Sequence, residues 1–160
     1  MRLLCRFLVL FFQVFIVSNS SESKSSAIAC NICGGTEFEV GPFGRLARNG
    51  SPPRCSKCRS LERHRGVRQV YDAMPDALLG AAEVLQFSAD PATPSERFKS
   101  VEISQFDEEN SLDMMDIDRE DGSYDWVIAN HVLEHISDDF LGLSEMLRVL
   151  SDHGVVQLTV

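Results

Sequence analysis

The chain has 160 residues, 44% of them hydrophobic and 24% charged, with a formal net charge of −9. Its apolar content excludes wholesale disorder, its charged fraction excludes a polytopic membrane protein, and its length suits one ordinary domain or two small ones. The charge is divided: residues 1–70 carry 11 Lys/Arg against 4 Asp/Glu, whereas residues 71–160 carry 4 against 20. Such asymmetry points to two units with different partners, and the acidic half argues against broad electrostatic binding of nucleic acid by the whole chain.

Residues 3–17 are apolar except for Arg6 and Gln13. As a helix this run would span roughly 22 Å, short of a ~30 Å hydrocarbon core. The basic start and the polar stretch Ser18–Ser26 fit a secretory signal core, with Ser18-Asn19-Ser20 better placed for cleavage than Ala27-Ile28-Ala29. The competing reading is an upstream extension, or a weak membrane anchor, on a cytosolic protein. Cys5, inside the run, reads as an apolar packing residue.

The other four cysteines form Cys30-Asn-Ile-Cys33 and Cys55-Ser-Lys-Cys58. Two such knuckles point to a tetrahedral Zn²⁺ site, because a two-residue gap turns both thiolates toward one metal. Gly34 and Gly35 allow the backbone angles of the first turn. Glu37–Val40 reads as a short strand, and the Gly and Pro residues between 41 and 53 mark loops. So small a ribbon, residues 30–59, cannot fold on its own core, so the metal would supply the folding energy. Two disulfides are the alternative, and a redox dithiol is disfavoured because the motif occurs twice. Zinc thiolates favour a reducing compartment, so the expectation is a cytoplasmic protein.

Residues 45–68 hold Arg45, Arg48, Arg54, Lys57, Arg59, Arg63, Arg65 and Arg68 against Glu62 alone. This cluster could bind nucleic acid or another anion. The absence of interleaved aromatic residues favours docking on the acidic half instead. Leu61, Val67, Val70, Tyr71 and Met74 have helical spacing and Pro75 stops the helix, so residues 60–77 form a connector.

Residues 78–160 read as an open, mostly parallel α/β sheet. The predicted strands are Glu83–Ser88, Lys99–Ser104, Ser111–Met115, Tyr124–Ala129 and Val155–Val160. Ser137 is expected to cap a helix whose buried face carries Phe140, Leu143, Met146, Leu147 and Leu150. In such sheets the ligand sits beyond the carboxyl ends of the strands. Those ends carry Ser88-Ala89-Asp90-Pro91, Glu102, Asp116-Ile117 and Asn130-His131-Val132-Leu133-Glu134-His135. Glu102 at the second strand end suits a ribose diol, since two carboxylate oxygens accept from both hydroxyls.

These residues carry a resemblance to class I S-adenosylmethionine-dependent methyltransferases, particularly bacterial-type members with an N-terminal zinc ribbon. The matching stretches are Cys30–Cys33, Cys55–Cys58 running into Ser60-Leu-Glu-Arg-His-Arg65, Val84–Ala89, Tyr124–Ile136 and Glu145–Leu150. The resemblance implies a Rossmann-like fold that binds S-adenosylmethionine and transfers its methyl group. It further implies that Phe87, Ser88, Ala89 and Asp90 cradle the cofactor's amino-acid end and that Glu102 holds the ribose. Asp116 and Ile117 would contact adenine, with Asn130 and His131 lining the cofactor's carboxyl side. His131 or His135 would act as base where the acceptor loses a proton. The chain departs from the family in lacking any glycine between Gly80 and Gly122, where a Gly-rich turn is usual, and in having Ser151-Asp-His-Gly154 before the last strand. It also resembles a five-strand, C-terminally incomplete version of that fold.

Two other readings stand beside this one. His131-x-x-Glu134-His135 matches a metalloprotease signature, though that motif needs a helix and a further ligand. The missing glycine turn is also compatible with a non-catalytic zinc-ribbon binding protein. A small or unidentified methyl acceptor is the expected partner, with nucleic acid not favoured and membrane contact confined to residues 3–17.

Overall fold

The computed structural model describes residues 28–160; the apolar segment 3–17, Cys5 and the cleavage triplet at Ser18 lie outside it. The ribbon pairs β1 (Phe38–Glu39) antiparallel with β2 (Arg54–Cys55), a shorter ladder than the predicted Glu37–Val40 strand. The connector becomes α1 (Glu62–Asp72) and the single turn α2 (Asp76–Leu79). The second unit contains β3 (Glu83–Phe87), β4 (Ser100–Ser104), β5 (Tyr124–Asn130), α3 (Asp139–Arg148) and β6 (Leu150–Thr159).

The four long strands form one sheet in the order β4-β3-β5-β6, parallel at every pairing. The fold is therefore the expected Rossmann-like parallel sheet, but with four strands. The predicted strand Ser111–Met115 does not form. Leu112 and Met114 pack toward the core as a strand's alternate residues would, yet the backbone there bonds to side chains instead of a ladder. The Leu112 amide donates to Ser104 Oγ and the Met115 amide to Asp113 Oδ1, so local polar side chains win the backbone.

Both faces of the sheet are covered, which explains the near-continuous apolar runs of β3 and β5. One face packs Leu85, Phe87, Val127 and Ala129 against Met114, Ile117, Met146 and Val149. The other packs Val84, Trp126 and Ile128 against Tyr71, Leu79 and Phe98. Tyr71 thereby ties α1, and with it the ribbon, to the sheet. The rings of Tyr71, Phe98 and Trp126 lie 5.8–5.9 Å apart.

Three local expectations change around α3. The helix is capped by Asp138, whose Oδ1 accepts from the Leu141 amide at 2.9 Å, while Ser137 turns its hydroxyl to Met115 Sδ. Its buried positions are Gly142 and Met146, whereas Phe140 and Leu147 face solvent. A Cβ at position 142 would stand 2.5 Å from Ile136 Cδ1, so the helix approaches that turn through its glycine. The last strand also begins at Leu150, five residues earlier than expected. Between Tyr124↔Leu150 and Trp126↔Val155 the register shifts, and this irregularity takes up Ser151–Gly154.

Candidate functional site

Two sites emerge from these elements: the cysteine quartet of the ribbon and a crevice at the strand tips. In the quartet, the backbone follows one pattern twice. The Cys30 amide donates to the Gly35 carbonyl and the Gly34 amide to the Cys30 carbonyl; the Cys55 and Arg59 amides do the same to the Ser60 and Cys55 carbonyls. The fourth residue after each leading cysteine is left-handed, Gly34 at φ +72° and Arg59 at φ +64°. Glycine accepts that conformation freely, whereas Arg59 is strained. A Cβ at Gly35 would sit 3.1 Å from Cys55 Sγ and 3.4 Å from Cys33 Sγ, so this position must be small for the thiols to converge.

The four Sγ atoms of Cys30, Cys33, Cys55 and Cys58 all lie within 4.8 Å of one another, with Cys33–Cys55 at 3.5 Å and Cys30–Cys58 at 3.7 Å. A disulfide needs about 2.05 Å. A tetrahedron with Zn–S bonds of about 2.3 Å has edges of about 3.8 Å. The spacing thus suits a metal and not two bridges. Burial alone would raise the Cys30 thiol, but bonds from Ser60 and from the Ile32 and Cys33 backbone bring it down to about 6. Cys33 gains from the Gly35 backbone, yet burial and the neighbouring thiols push it up to about 12. Four sulfurs this close cannot all ionise without a cation between them.

Four of the eight basic side chains pair with acids of the ribbon and α1. Arg54 and Arg59 pair with Glu39, Arg45 pairs with Glu62, and Arg65 bonds the Ser60 and Pro53 carbonyls. Of the eight side chains, Arg68 is the one shown paired to the second unit, through Glu96. The expected docking of the whole basic face on the acidic half is not what forms. Glu39, in β1, takes two of these arginines.

At the strand tips, β3 and β5 are neighbours from which the chain runs outward to β4 on one side and β6 on the other. This is the switch point at which open α/β sheets bind ligands. The residue just past each central strand is left-handed although neither is glycine: Ser88 has φ +64° and His131 φ +54°. Backbone strain of this kind concentrates at functional sites. Both are held by neighbouring strands, since the Ser88 amide donates to the Ser104 carbonyl and the His131 amide to the Thr159 carbonyl.

Between the tips, Asp90 Oδ1 accepts from the Ala92 amide at 2.6 Å and Oδ2 from Asn130 Nδ2 at 2.9 Å. Asn130 Oδ1 accepts from Gln157 Nε2 and Thr159 Oγ1, and Tyr71 Oη donates to Gln157 Oε1 at 2.6 Å. The chain Tyr71–Gln157–Asn130–Asp90 fixes the carboxylate's direction. It opens on a cavity of about 30 Å³ lined by Arg63, His64, Val67, Asp90, Asn130, His131 and Thr159. Arg63, His64 and Val67 come from α1 and were not expected there. No spacing within Ser60–Arg65 points to the strand tips, because the contact is made only in the fold.

The other predicted site residues divide. Ala89 lies at the β3 turn, its amide bonded to Gln105 Oε1. Phe87 and Ile117 are core side chains, 4% and 1% exposed, so neither can present its side chain to a ligand. Asp116 is exposed. Glu102 lies inside β4, two residues before its end, and is bonded by Arg119 and by Tyr124 Oη. Its side chain is about 36% exposed, so a diol would share its oxygens with Arg119 and Tyr124. His135 is exposed on a 3-10 turn, Leu133–His135, and is not among the crevice-lining residues. His131 instead approaches Glu134, Nδ1 to Oε1 at 3.4 Å. No helix spans His131–His135, so the metalloprotease arrangement does not form.

The Arg119 guanidinium holds the Glu102 carboxyl below its usual range against the opposing effect of burial, with the Tyr124 hydroxyl helping. A carboxyl depressed in the folded state contributes stability above its unfolded value and loses it as pH falls through the folded one. Glu102→Gln should therefore flatten the loss of stability between about pH 5 and pH 3, measured by urea unfolding across that range.

Residues 80–158 match the family described as a methyltransferase domain. No curated protein matches the chain. Among solved structures, the chain is similar to a protein of Thermotoga maritima described as a SAM-dependent methyltransferase and possible histamine N-methyltransferase, at 16% identity and a TM-score of 0.38. That similarity covers 61% of this chain and 55% of the other, so the present chain spans about half of that protein's length.

Proposed function

We propose, on the match of residues 80–158 to a methyltransferase domain, that the chain is a class I S-adenosylmethionine-dependent methyltransferase whose strand-tip crevice binds S-adenosylmethionine for methyl transfer to an acceptor. The observation that carries this reading is the fixed Asp90 carboxylate between two strained strand ends at the sheet's switch point. When bound, the cofactor supplies an electrophilic methyl group on a sulfonium.

The side chains around the cavity fit the cofactor's amino-acid end. Asp90 accepts from an ammonium group, and Arg63 and His64 can face its carboxylate. Ser88 and Ala89 have their amides bonded within the protein, so the turn is set before any ligand arrives. Since the cavity holds about one water, the cofactor sits over its mouth, and the exposed residues 106–111, which present Phe106 at 81% exposure, are assigned to the nucleoside end. Most of the acceleration comes from holding donor and acceptor in line. His131, beside the crevice, is the residue placed to take a proton from an acceptor that must lose one.

We further propose that the cysteine quartet holds one structural Zn²⁺, its four sulfurs leaving no open position for chemistry. A cytoplasmic location follows from the same thiolates and from the cofactor. Among the described residues no helix is long and apolar enough to cross a membrane.

Calorimetric titration with S-adenosylhomocysteine tests the cofactor reading. Asp90→Ala should weaken binding by about tenfold to a hundredfold, the loss expected for a charge-assisted hydrogen bond. Unchanged affinity in that variant would remove Asp90 from the site.

A further inference from the structure

The thiolate quartet and the strand-tip crevice are joined by a short bonded path. Ser60 is fully buried, and its hydroxyl lies 3.4 Å from Cys30 Sγ and 3.1 Å from Cys58 Sγ. Its carbonyl accepts from the Cys55 amide and from Arg65 Nη1. One residue on, the Leu61 amide donates to His64 Nδ1 at 3.1 Å. That bond makes Nδ1 the acceptor, so the neutral ring carries its proton on Nε2, as a donor. The ring of His64 lines the crevice together with Asp90, Asn130 and His131. Asn31, between the first two cysteines, also grips the helix, its Nδ2 donating to the Arg65 carbonyl at 3.0 Å. The first turn of α1 is thus bonded to both knuckles while forming one wall of the crevice.

We propose that His64 is a ligand-facing residue of the strand-tip site and that Ser60 is its positioning residue, so that the metal-loaded ribbon sets the cofactor wall. The inference rests on the methyltransferase reading for the identity of the ligand. The path from Ser60 to His64 rests on geometry alone. A ribbon that served only as a fold anchor would have no need to place a histidine beside Asp90 in the crevice lining. With the quartet unloaded, the sulfurs repel or re-pair, Ser60 loses its two sulfur contacts, and the first turn of α1 loses its register against the tips.

The test uses the full chain, loaded with zinc, and variants whose metal content is measured first. His64→Leu should bind S-adenosylhomocysteine about tenfold more weakly through one lost hydrogen bond, and Ser60→Ala about threefold to tenfold more weakly, with its zinc still bound, through displacement of His64. His64→Gln, whose amide keeps an acceptor for Leu61 and a donor for the crevice, should recover most of that loss. Binding within twofold of the parent by both His64→Leu and Ser60→Ala would overturn the proposal while leaving the methyltransferase reading intact. If the parent chain itself binds nothing, that reading fails, and a cofactor-free measurement decides the coupling. The imidazole resonances of His64 should shift in Ser60→Ala and on zinc removal, and resonances unmoved by both would contradict the path.

Discussion

Stripping zinc from the quartet with a chelator should unfold the ribbon and loosen α1 while leaving much of the parallel sheet in place. The ribbon's own ladder is two residues per strand, and its loops expose Val40, Phe43 and Leu46. With so little apolar burial, the binding free energy of the metal, about 10–16 kcal/mol for small structural zinc sites, is in effect its folding free energy. Amide exchange should show protection lost across residues 30–60 and retained in β3 and β5. One equivalent of zinc released per chain, followed by that pattern, is the expected result. Full protection of the ribbon without metal would mean that the cysteines serve a different purpose.

Tyr71→Ala should be among the most damaging single substitutions outside the quartet. The side chain is 1% exposed, touches Phe98 and Trp126 with its ring, and donates its hydroxyl to Gln157. Removing a buried aromatic ring of this size costs about 3–5 kcal/mol in lost contacts and residual cavity. Tyr71→Phe isolates the hydroxyl: it should cost about 1–2 kcal/mol by leaving Gln157 Oε1 without its donor. The two variants differ in function as well. Alanine releases α1 from the sheet, whereas phenylalanine keeps the packing but frees the far end of the network that orients Asp90. Urea unfolding paired with S-adenosylhomocysteine titration separates the two effects. Equal stability of Tyr71→Phe and the parent would show that the hydroxyl bond has no net value.

The sheet was legible because its signals are periodic and local. β3, β4 and β5 are short apolar runs bounded by turn residues, and their parallel order follows from strands linked by crossovers. The strand expected at Ser111–Met115 has the right alternation, with Leu112 and Met114 inward. Ser104 and Asp113 side chains nevertheless capture its amides, and alternation does not record that competition. In α3, helical spacing placed Phe140 and Leu147 inward. Packing instead turns Gly142 toward Ile136, because the small residue permits the closest approach.

The site was legible in part for the same reason. Cys30, Cys33, Cys55 and Cys58 converge as their spacing requires, and Asp90, Asn130 and His131 meet at the tips of adjacent strands. Glu102 carries the right chemistry at nearly the right offset, but Arg119 lies 17 residues away in sequence and reaches it only in the fold. His64 and Arg63 enter the crevice because Tyr71 docks α1 on the sheet, a tertiary placement that no motif in Ser60–Arg65 announces.

The most direct test is a crystal of the zinc-loaded chain soaked with S-adenosylhomocysteine. The ligand should lie across the strand tips, its nucleoside over residues 106–111 and the ammonium of its amino-acid end within hydrogen-bond distance of Asp90. A ligand bound elsewhere, or well-ordered crystals with that crevice filled only by Arg63 and His64 at saturating ligand, would contradict it.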